Sequence, residues 1–331
     1  MALLGGGLAL VLVAGLALVI GVATRGSQLP EAGTGRDVPP PATTTETTQP
    51  NQPTERIQPT GPTEPPSPTA TSSAEGVPPS PSTTPPGLQE PSPTPVHLLA
   101  RNPLVTDEQV ALSPRTCQLP IWSDTPAAAE AYFRAAATCL DRSWGSALAH
   151  FALPFSPPEL RFPQGSRTYP TSCGRKDVEV AAAFYCDGVI YLPFAGLQTD
   201  FYDNQPAVHL SLMAHEYGHH VQQLAGILPE STDREVRAGP STPAGLRYNR
   251  RMELQAQCFA GIFFRAHAGR GSISNEMLLE AETDQGRRGD WSGQSRDHGT
   301  PQHYQSWWQR GAERGSPADC NTYAAPAGDV S

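Results

Sequence analysis

The chain has 331 residues, six cysteines and a formal net charge of −9 at neutral pH. This acidic balance, without a basic cluster, argues against a nucleic-acid partner. Residues 39–95 contain 18 prolines among Thr, Ser, Glu and Gln. Such a stretch cannot bury enough apolar surface to fold. We therefore expect the folded part at 97–325, since about 230 residues are enough for one sizeable core.

The N-terminus carries an uncharged apolar run over residues 2–23. About 20 such residues span the hydrocarbon core of a bilayer, so residues 1–25 are predicted to be a transmembrane anchor, with a cleaved signal peptide as the alternative. Residues 26–96 are then a disordered linker and 326–331 a disordered tail. Arg25 after the apolar run would favour a cytoplasmic C-terminal side. The cysteines and the Pro/Thr-rich linker favour the outside, and we expect an extracytoplasmic domain.

All six cysteines lie in the part expected to fold. An even number of cysteines after an apolar leader indicates disulfides formed in an oxidising compartment, whereas free buried thiols would fit a cytosolic enzyme. Roughly 15 pairings are possible for six cysteines. We expect sequence neighbours to pair, as Cys117–Cys139, Cys173–Cys186 and Cys258–Cys320.

Regular elements are predicted in chain order from apolar periodicity, capping residues and turn residues. Helices are expected from Thr125-Pro126 to Phe151, over 206–226 after the capping candidates Asp203 and Asn204, over 245–268, from Ser272 to about 284, and from Thr300-Pro301 to Gly311. Two short strands are expected within 184–192, about the turn Asp187-Gly188. Residues 153–174 are expected to be loops, and a polar loop is expected from 226 to about 244.

The stretch 215–220, with the sequence His-Glu-Tyr-Gly-His-His, lies in the helix expected over 206–226. On a helix, His215 and His219 are one turn apart on the same face, while Glu216 is rotated by about 100° from His215. Two imidazoles and an adjacent carboxylate are what a zinc hydrolase needs to hold the metal and accept a proton from water. The same five-residue string also occurs by chance on helix surfaces, and His220 faces away from the pair.

A carboxylate, Glu253, lies on the apolar face of the helix expected over 245–268. A buried carboxylate is costly unless it is paired or binds a metal, so Glu253 is a candidate third ligand. Pairing with Arg250 or Arg251 is the alternative. Gln257 follows one turn later on the same side, where it is placed to hydrogen bond to a ligand histidine.

Taken together, these motifs resemble the bacterial neutral zinc metallopeptidase family. The similar segments are His-Glu-Tyr-Gly-His-His-Val-Gln at 215–222, Glu-Leu-Gln-Ala-Gln-Cys-Phe-Ala-Gly at 253–261, His-Gly-Thr at 298–300, Trp307 to Gly311, Cys-Asn-Thr-Tyr at 320–323, and upstream Cys173-Gly174 and Phe184-Tyr185-Cys186. The resemblance covers about 170–323. It implies an α+β, mainly helical zincin-like domain with a small hairpin or sheet.

The resemblance also implies one catalytic zinc ion, with His215, His219 and Glu253 as ligands and Glu216 as general base. One departure is Gln257, where family members usually carry Asp. An Asp there would make the ligand histidine more basic, whereas Gln brings no charge, and loss of such support costs roughly 10–100-fold in metal affinity or activity.

The function expected from the sequence is that of a membrane-tethered, extracytoplasmic zinc peptidase acting on protein or peptide substrates in the cell envelope. His298 and Tyr304 are candidates for stabilising the oxyanion that develops during hydrolysis. The alternative is a non-catalytic envelope binding module that zinc only stabilises, and Gln257 favours it. A third reading, hydrolysis of peptidoglycan cross-links, depends only on the long spacer.

Overall fold

A computed structural model describes residues 92–331, apart from 166, 180, 203–204 and 292–295. The helices of this part are α1 Pro126–His150, α2 Thr199–Tyr202, α3 Pro206–Ala225, α4 Ile227–Ala238, α5 Pro243–His267, α6 Asn275–Gln285 and α7 Pro301–Arg314. The strands are β1 Glu159–Arg161, β2 Thr168–Thr171, β3 Gly174–Asp177, β4 Phe184–Cys186 and β5 Val189–Tyr191. The described residues are thus mainly helical with small sheets, which fits the predicted α+β class.

Several predictions concern residues outside the described part. The membrane span at 1–25, nearly all of the linker and the capping candidates Asp203 and Asn204 belong to this group. Within residues 92–331 and their gaps, no helix combines the length and the apolar character needed to cross a bilayer.

Three of the long helices begin with a threonine followed by proline, as predicted for α1 and α7, whereas α5 begins two residues before the predicted start at 245. The side chains of Thr125, Thr242 and Thr300 accept hydrogen bonds from the backbone N–H three residues later. The proline at the first helical position loses no hydrogen bond there, because that N–H has no partner within the helix. Ser274, rather than the predicted Ser272, caps α6. Ser272 instead exchanges two hydrogen bonds with the backbone of Leu119.

Helix α3 lies at the centre of the fold, packed against α1, α4, α5, α6 and β4. Most of its side chains are buried on every side rather than on one face, and Leu224 of the expected apolar face is only half-buried. Helix α5 is likewise buried over most of its length and contacts α3, α4 and α7. The two candidate site segments therefore lie on neighbouring helices in the core.

The strands form a three-stranded sheet in the order β1-β5-β4 and a separate hairpin of β2 and β3. The predicted hairpin is present, with β4 antiparallel to β5 about Asp187 and Gly188, both at positive φ. β1 and β2 lie in the region expected to be loops. That expectation was wrong because both strands are only three or four residues long, too short to show a period.

The polar loop expected after α3 is instead the helix α4. Gly226, with φ of 84°, ends α3 and directly precedes Ile227. Pro229 lies in the first turn of α4, where proline is tolerated, so the Gly-Pro pair marks a change of helix direction rather than the start of a loop.

Helix α7 continues through Gly311, where the sequence predicted its end, and stops at Gly315 with φ of 86°. Gly311 serves the packing of α7 against α5, because a Cβ there would lie 2.0 Å from the carbonyl oxygen of Cys258. The last six residues, expected to be disordered, form a turn in which Val330 is buried and the Asp329 carbonyl accepts a hydrogen bond from Trp307.

The three disulfides predicted from sequence order are confirmed. Their Cα atoms are 5.7 Å apart for Cys117–Cys139, 6.1 Å for Cys173–Cys186 and 5.6 Å for Cys258–Cys320. The third disulfide joins the middle of α5 to the C-terminal region, and the second joins the turn between β2 and β3 to β4.

The N-terminal end of the described chain is attached to the C-terminal end of α3. The amide of Val96 donates to the carbonyl of Ala225 over 3.1 Å. The Asn102 side-chain amide donates to the carbonyls of both Val96 and Ala225, at 2.7 and 2.8 Å. Gly226 leaves room for this contact, since a Cβ there would lie 2.7 Å from the Val96 backbone.

The close approach of α5 and α7 generates the first prediction. A Gly311→Ala substitution should lower the free energy of unfolding by about 1–3 kcal/mol, since the added methyl group meets backbone that cannot move cheaply. Gly328→Ala is the matched control, with no atom within 4 Å of its added Cβ, and should change stability by no more than about 0.5 kcal/mol. Urea denaturation measures both, and equal effects would contradict the packing role of Gly311.

Candidate metal centre

His215 and His219 lie one turn apart on α3 and are both buried. Gly218 between them allows α5 to approach closely, because a Cβ at Gly218 would lie 3.0 Å from the Ala256 backbone. This contact brings Glu253, also fully buried, to the two imidazoles. The helices thus place three side chains of the predicted site together.

Three acceptor atoms meet at the centre of this group. The Nε2 atoms of His215 and His219 are 3.1 Å apart. Oε2 of Glu253 lies 3.3 Å from the first and 3.4 Å from the second. Ligands 2.0–2.1 Å from a tetrahedral zinc ion are separated by roughly 3.3 Å, so the three atoms are spaced as three corners of such a site.

The tautomer of His215 follows from a relay of two glutamines. Nε2 of Gln285 donates to the backbone carbonyl of Ala281 over 2.7 Å, which leaves its Oε1 to accept from Nε2 of Gln257. Oε1 of Gln257 then faces Nδ1 of His215 at 2.9 Å. Because an amide oxygen only accepts, Nδ1 of His215 carries the proton and Nε2 presents a lone pair.

A second relay fixes His219 in the same way. Nε2 of Gln222 donates to the Met252 carbonyl and to Oε1 of Gln255, at 2.8 and 3.0 Å, and Gln255 in turn donates to the Cys320 carbonyl. Oε1 of Gln222 therefore accepts from Nδ1 of His219 over 2.9 Å. Both imidazoles present Nε2 lone pairs toward each other and toward a carboxylate.

Three lone-pair atoms in a dry interior repel one another unless a cation lies between them. Neither oxygen of Glu253 makes a regular hydrogen bond within the described residues. Burial would raise the pKa of Glu253, but the positive charge that His219 and His298 carry when protonated outweighs burial and holds that pKa well below its usual range. Burial has the opposite effect on His215, whose pKa it lowers because it disfavours the charged imidazolium. Two imidazole nitrogens and one carboxylate oxygen are the donor set of a zinc site with an open fourth position, and these residues fit that metal.

Glu216 directly follows His215 on α3 and is fully buried. Neither of its carboxylate oxygens makes a hydrogen bond with the described residues. Burial raises its pKa to about 8. A carboxylate that is beside the three acceptors yet unpaired is free to exchange a proton with a water molecule held there.

His298, one of the two candidates for oxyanion stabilisation, reaches the centre from the loop before α7. Its Nε2 is buried and lies 4.0 Å from Oε2 of Glu253. Its Nδ1 contacts Asp297 at 2.8 Å and Asp290 at 3.4 Å. Burial lowers the pKa of His298, but Glu253 and the two aspartates outweigh burial and raise it well above its ordinary value. The imidazole is therefore an N–H donor directed into the site.

Tyr304, the other candidate, is buried on α7 with its ring 6.1 Å from that of His215. The structure thus places it beside the metal ligands. Burial is also the largest influence on its phenol, whose pKa is raised above its ordinary value. Tyr304 remains protonated at neutral pH and can only donate or accept as a neutral hydroxyl.

The alternative partners of Glu253 are directed elsewhere. Arg250 donates to the carbonyls of Val330 and Arg296, and Arg251 donates to those of Thr322 and Ala325. These contacts hold the C-terminal region against α5. Glu253 instead faces His215 and His219.

His220 has a structural position, as expected. Its Nε2 faces the carbonyl of Ser156 at 2.7 Å and its Nδ1 the hydroxyl of Tyr185 at 3.2 Å. These contacts connect α3 to β4 and to the loop before β1, away from the three acceptors.

Five site residues are absent from the sequence-based prediction: Gln222, Gln255, Gln285, Asp290 and Asp297. Gln222 follows His219 by three residues, so helical spacing could have identified it. Gln255 and Gln285 act through another glutamine, and Asp290 acts through a loop whose amides at His298 and Gly299 bind its carboxylate at 2.6 and 2.9 Å. No local spacing reveals such contacts.

The glutamine relay generates the second prediction. Gln285→Met keeps the size of the side chain but removes the acceptor that orients Gln257, so the zinc dissociation constant should rise roughly 10-fold. Competition with a chromogenic chelator at equilibrium measures it. Gln309→Met on α7, whose amide donates to Glu282 away from the metal centre, is the control and should leave zinc affinity unchanged. Unchanged affinity in Gln285→Met would contradict the relay.

Comparisons with known proteins identify the family of the chain. The family model described as "Putative neutral zinc metallopeptidase" matches residues 124–323. "Uncharacterized protein YpfJ" of Escherichia coli K12 is 31% identical over 201 residues, covering 55% of this chain and 67% of that protein. "Uncharacterized protein Rv2575" of Mycobacterium tuberculosis H37Rv is 27% identical over 262 residues, covering 70% and 83%. No solved structure matches the chain. The chain belongs to the neutral zinc metallopeptidase family.

Proposed function

We propose that this protein is a zinc-dependent peptidase that hydrolyses peptide bonds outside the cytoplasm. The observation that carries the proposal is the group of three atoms with spacings of 3.1, 3.3 and 3.4 Å, in which each histidine donates its Nδ1–H to a glutamine and directs Nε2 toward the other two atoms. His215, His219 and Glu253 would hold the ion. When bound there, zinc lowers the pKa of a coordinated water to about 7 and polarises the scissile carbonyl.

Glu216 supplies the general base. Its carboxylate accepts a proton from the attacking water as the new C–O bond forms, and it returns that proton to the departing amine nitrogen as the C–N bond breaks. The products are a carboxylic acid and an amine, so atoms and protons balance. No side chain of the described residues pairs with this carboxylate, and the backbone of Tyr185 on β4 is the polar group nearest to it, which supports this role.

His298 supplies an N–H donor for the oxyanion. Asp290 and Asp297 hold its Nδ1, which directs Nε2 toward the metal ligands. A donor fixed in advance in a dry site stabilises developing negative charge more than water does. Tyr304 is the other candidate, and its ring centroid lies 6.1 Å from that of His215.

An extended peptide would reach the edge of β4 only after the groups that cover it move aside, because all three residues of this strand are buried. Among the described strands β4 pairs only with β5, and it packs against α3 beside Glu216. A substrate strand can add to such an edge through main-chain hydrogen bonds. The Cys173–Cys186 disulfide at the end of β4 fixes the hairpin β2–β3 next to this edge.

The location outside the cytoplasm is supported by the three disulfides, since such bonds persist in oxidising compartments. The apolar run at residues 2–23 and the Pro-rich linker complete the proposal of a single-pass membrane anchor, or of a secreted protein if the leader is cleaved. Protein or peptide substrates of the cell envelope follow from that location.

A non-catalytic, zinc-stabilised binding module is the second candidate. The observation that favours it is the neutrality of both groups that bind the ligand histidines, Gln257 and Gln222. Without a carboxylate at these positions the imidazoles are less basic, which lowers both the affinity for the metal and the activity that depends on it.

The third prediction separates the two candidates. In the purified full chain, Glu216→Gln should retain stoichiometric zinc and lose at least about 100-fold in the rate of peptide cleavage, because proton transfer contributes 10²–10⁴-fold. His215→Ala should lose the zinc itself. Glu276→Gln, an exposed change on α6, is the control. Zinc-loaded wild type that cleaves neither casein nor a broad peptide library would favour the binding module.

The fourth prediction concerns His298. His298→Ala should lower kcat by about 10²–10³-fold while KM changes little, because its N–H acts on the charge that develops during the reaction. Zinc content, measured in parallel, should be unchanged. A loss of zinc together with activity would show instead that His298 supports the ligands.

A further inference from the structure

A positively charged pocket lies between the N-terminal segment, α4, α5 and the C-terminal region. This arginine pocket has a cavity of about 400 Å³. Its lining includes four arginines and two tyrosines, namely Arg101, Arg234, Arg247, Arg251, Tyr248 and Tyr323. The volume falls within the range of about 300–1,000 Å³ typical of small-molecule sites.

The positive charge of the pocket is largely uncompensated. Arg234 pairs with Glu230 at 2.7 Å. Within the described part of the chain, the other three arginines have no carboxylate within 4 Å of their charged nitrogens, so the pocket keeps about three positive charges. The whole chain carries a net charge of −9. The arginine pocket is therefore a local feature, not part of a generally basic surface.

Two of the guanidinium groups are held in place by the fold. Arg251 donates to the carbonyls of Thr322 and Ala325, and the Thr322 hydroxyl donates back to the Arg251 carbonyl at 2.6 Å. Glu230 fixes Arg234 through its Nε. Burial lowers the pKa of Arg251, and the positive charge of Arg247 adds to this effect. Like charges fixed around a cavity repel one another until an anion enters.

We propose that the arginine pocket binds a phosphate-bearing ligand. A carboxylate carries one negative charge and would balance only one of the three guanidinium groups. A phosphomonoester carries about −1.5 to −2 with three acceptor oxygens, and a pyrophosphate carries more. The planar guanidinium group matches phosphate oxygens in paired hydrogen bonds. The rings of Tyr248 and Tyr323 form walls on which the organic part of the ligand rests.

The arginine pocket is separate from the metal centre. Arg251 and Glu253 are two residues apart on α5 and thus about 200° apart around the helix axis. Arg247 and Arg251 share the face away from α3 and its histidines. Binding in the pocket can therefore be measured whether or not the chain cleaves peptides, and failure of one proposal leaves the other standing.

Calorimetry of the full chain with inorganic pyrophosphate at about 150 mM salt tests the proposal. We expect saturable binding that weakens at least about 10-fold in the double variant Arg101→Gln/Arg247→Gln, since neither arginine makes a contact that the fold needs. The matched control is Arg142→Gln/Arg270→Gln, which removes the same charge from exposed positions and should bind as the wild type does.

Two further probes identify the source of the phosphate. Glucose 6-phosphate represents a soluble phosphomonoester, and vesicles containing phosphatidic acid represent a lipid headgroup. Binding of either probe that the pocket double variant loses and the control keeps would support the site and name its ligand class. Absence of pyrophosphate binding to the wild type, or equal weakening in both double variants, would overturn the proposal.

Discussion

The fold depends on keeping three acceptor atoms together in a dry interior. Two imidazole nitrogens and a carboxylate oxygen meet between α3 and α5, and all three side chains are buried. Such a group is unfavourable for the protein alone and favourable only around a cation. The remaining contacts of the site keep these three mutually repelling atoms close together.

Three kinds of support achieve this. Gly218 allows the two helices to approach until Glu253 reaches the histidines. Glutamine relays that end on backbone carbonyls determine which nitrogen of each imidazole is free. The Cys258–Cys320 disulfide and the close contact at Gly311 hold the C-terminal region on α5, on the side from which Gln255 is anchored. Metal affinity is therefore a property of the whole core rather than of three side chains.

Sequence reasoning succeeded where the signal is local. One helical turn between His215 and His219, and the cost of burying Glu253, were enough to predict the residues that the structure brings together. It failed where a residue's role depends on a distant neighbour. In the sequence Gly311 is typical of a helix end, but its role is to let α7 pack against α5. Gly226 and Pro229 are typical of the start of a loop, but the helix α4 follows Gly226. Gln285 and Asp290 act through intermediates, so no spacing in the sequence connects them to the site.

The attachment of Val96 to the end of α3 bears on how the folded part can be shed from its linker. Proteolytic cleavage before Pro95 leaves the amide of Val96 bonded to Ala225. It also leaves the hydrogen bonds from the Asn102 side chain to Val96 and Ala225 in place. Cleavage after Val96 frees that residue and uncovers the last carbonyls of the helix that bears both imidazoles. A cut on the Pro-rich side of Pro95 thus keeps these contacts of α3 intact, whereas a cut only a few residues further on loosens them.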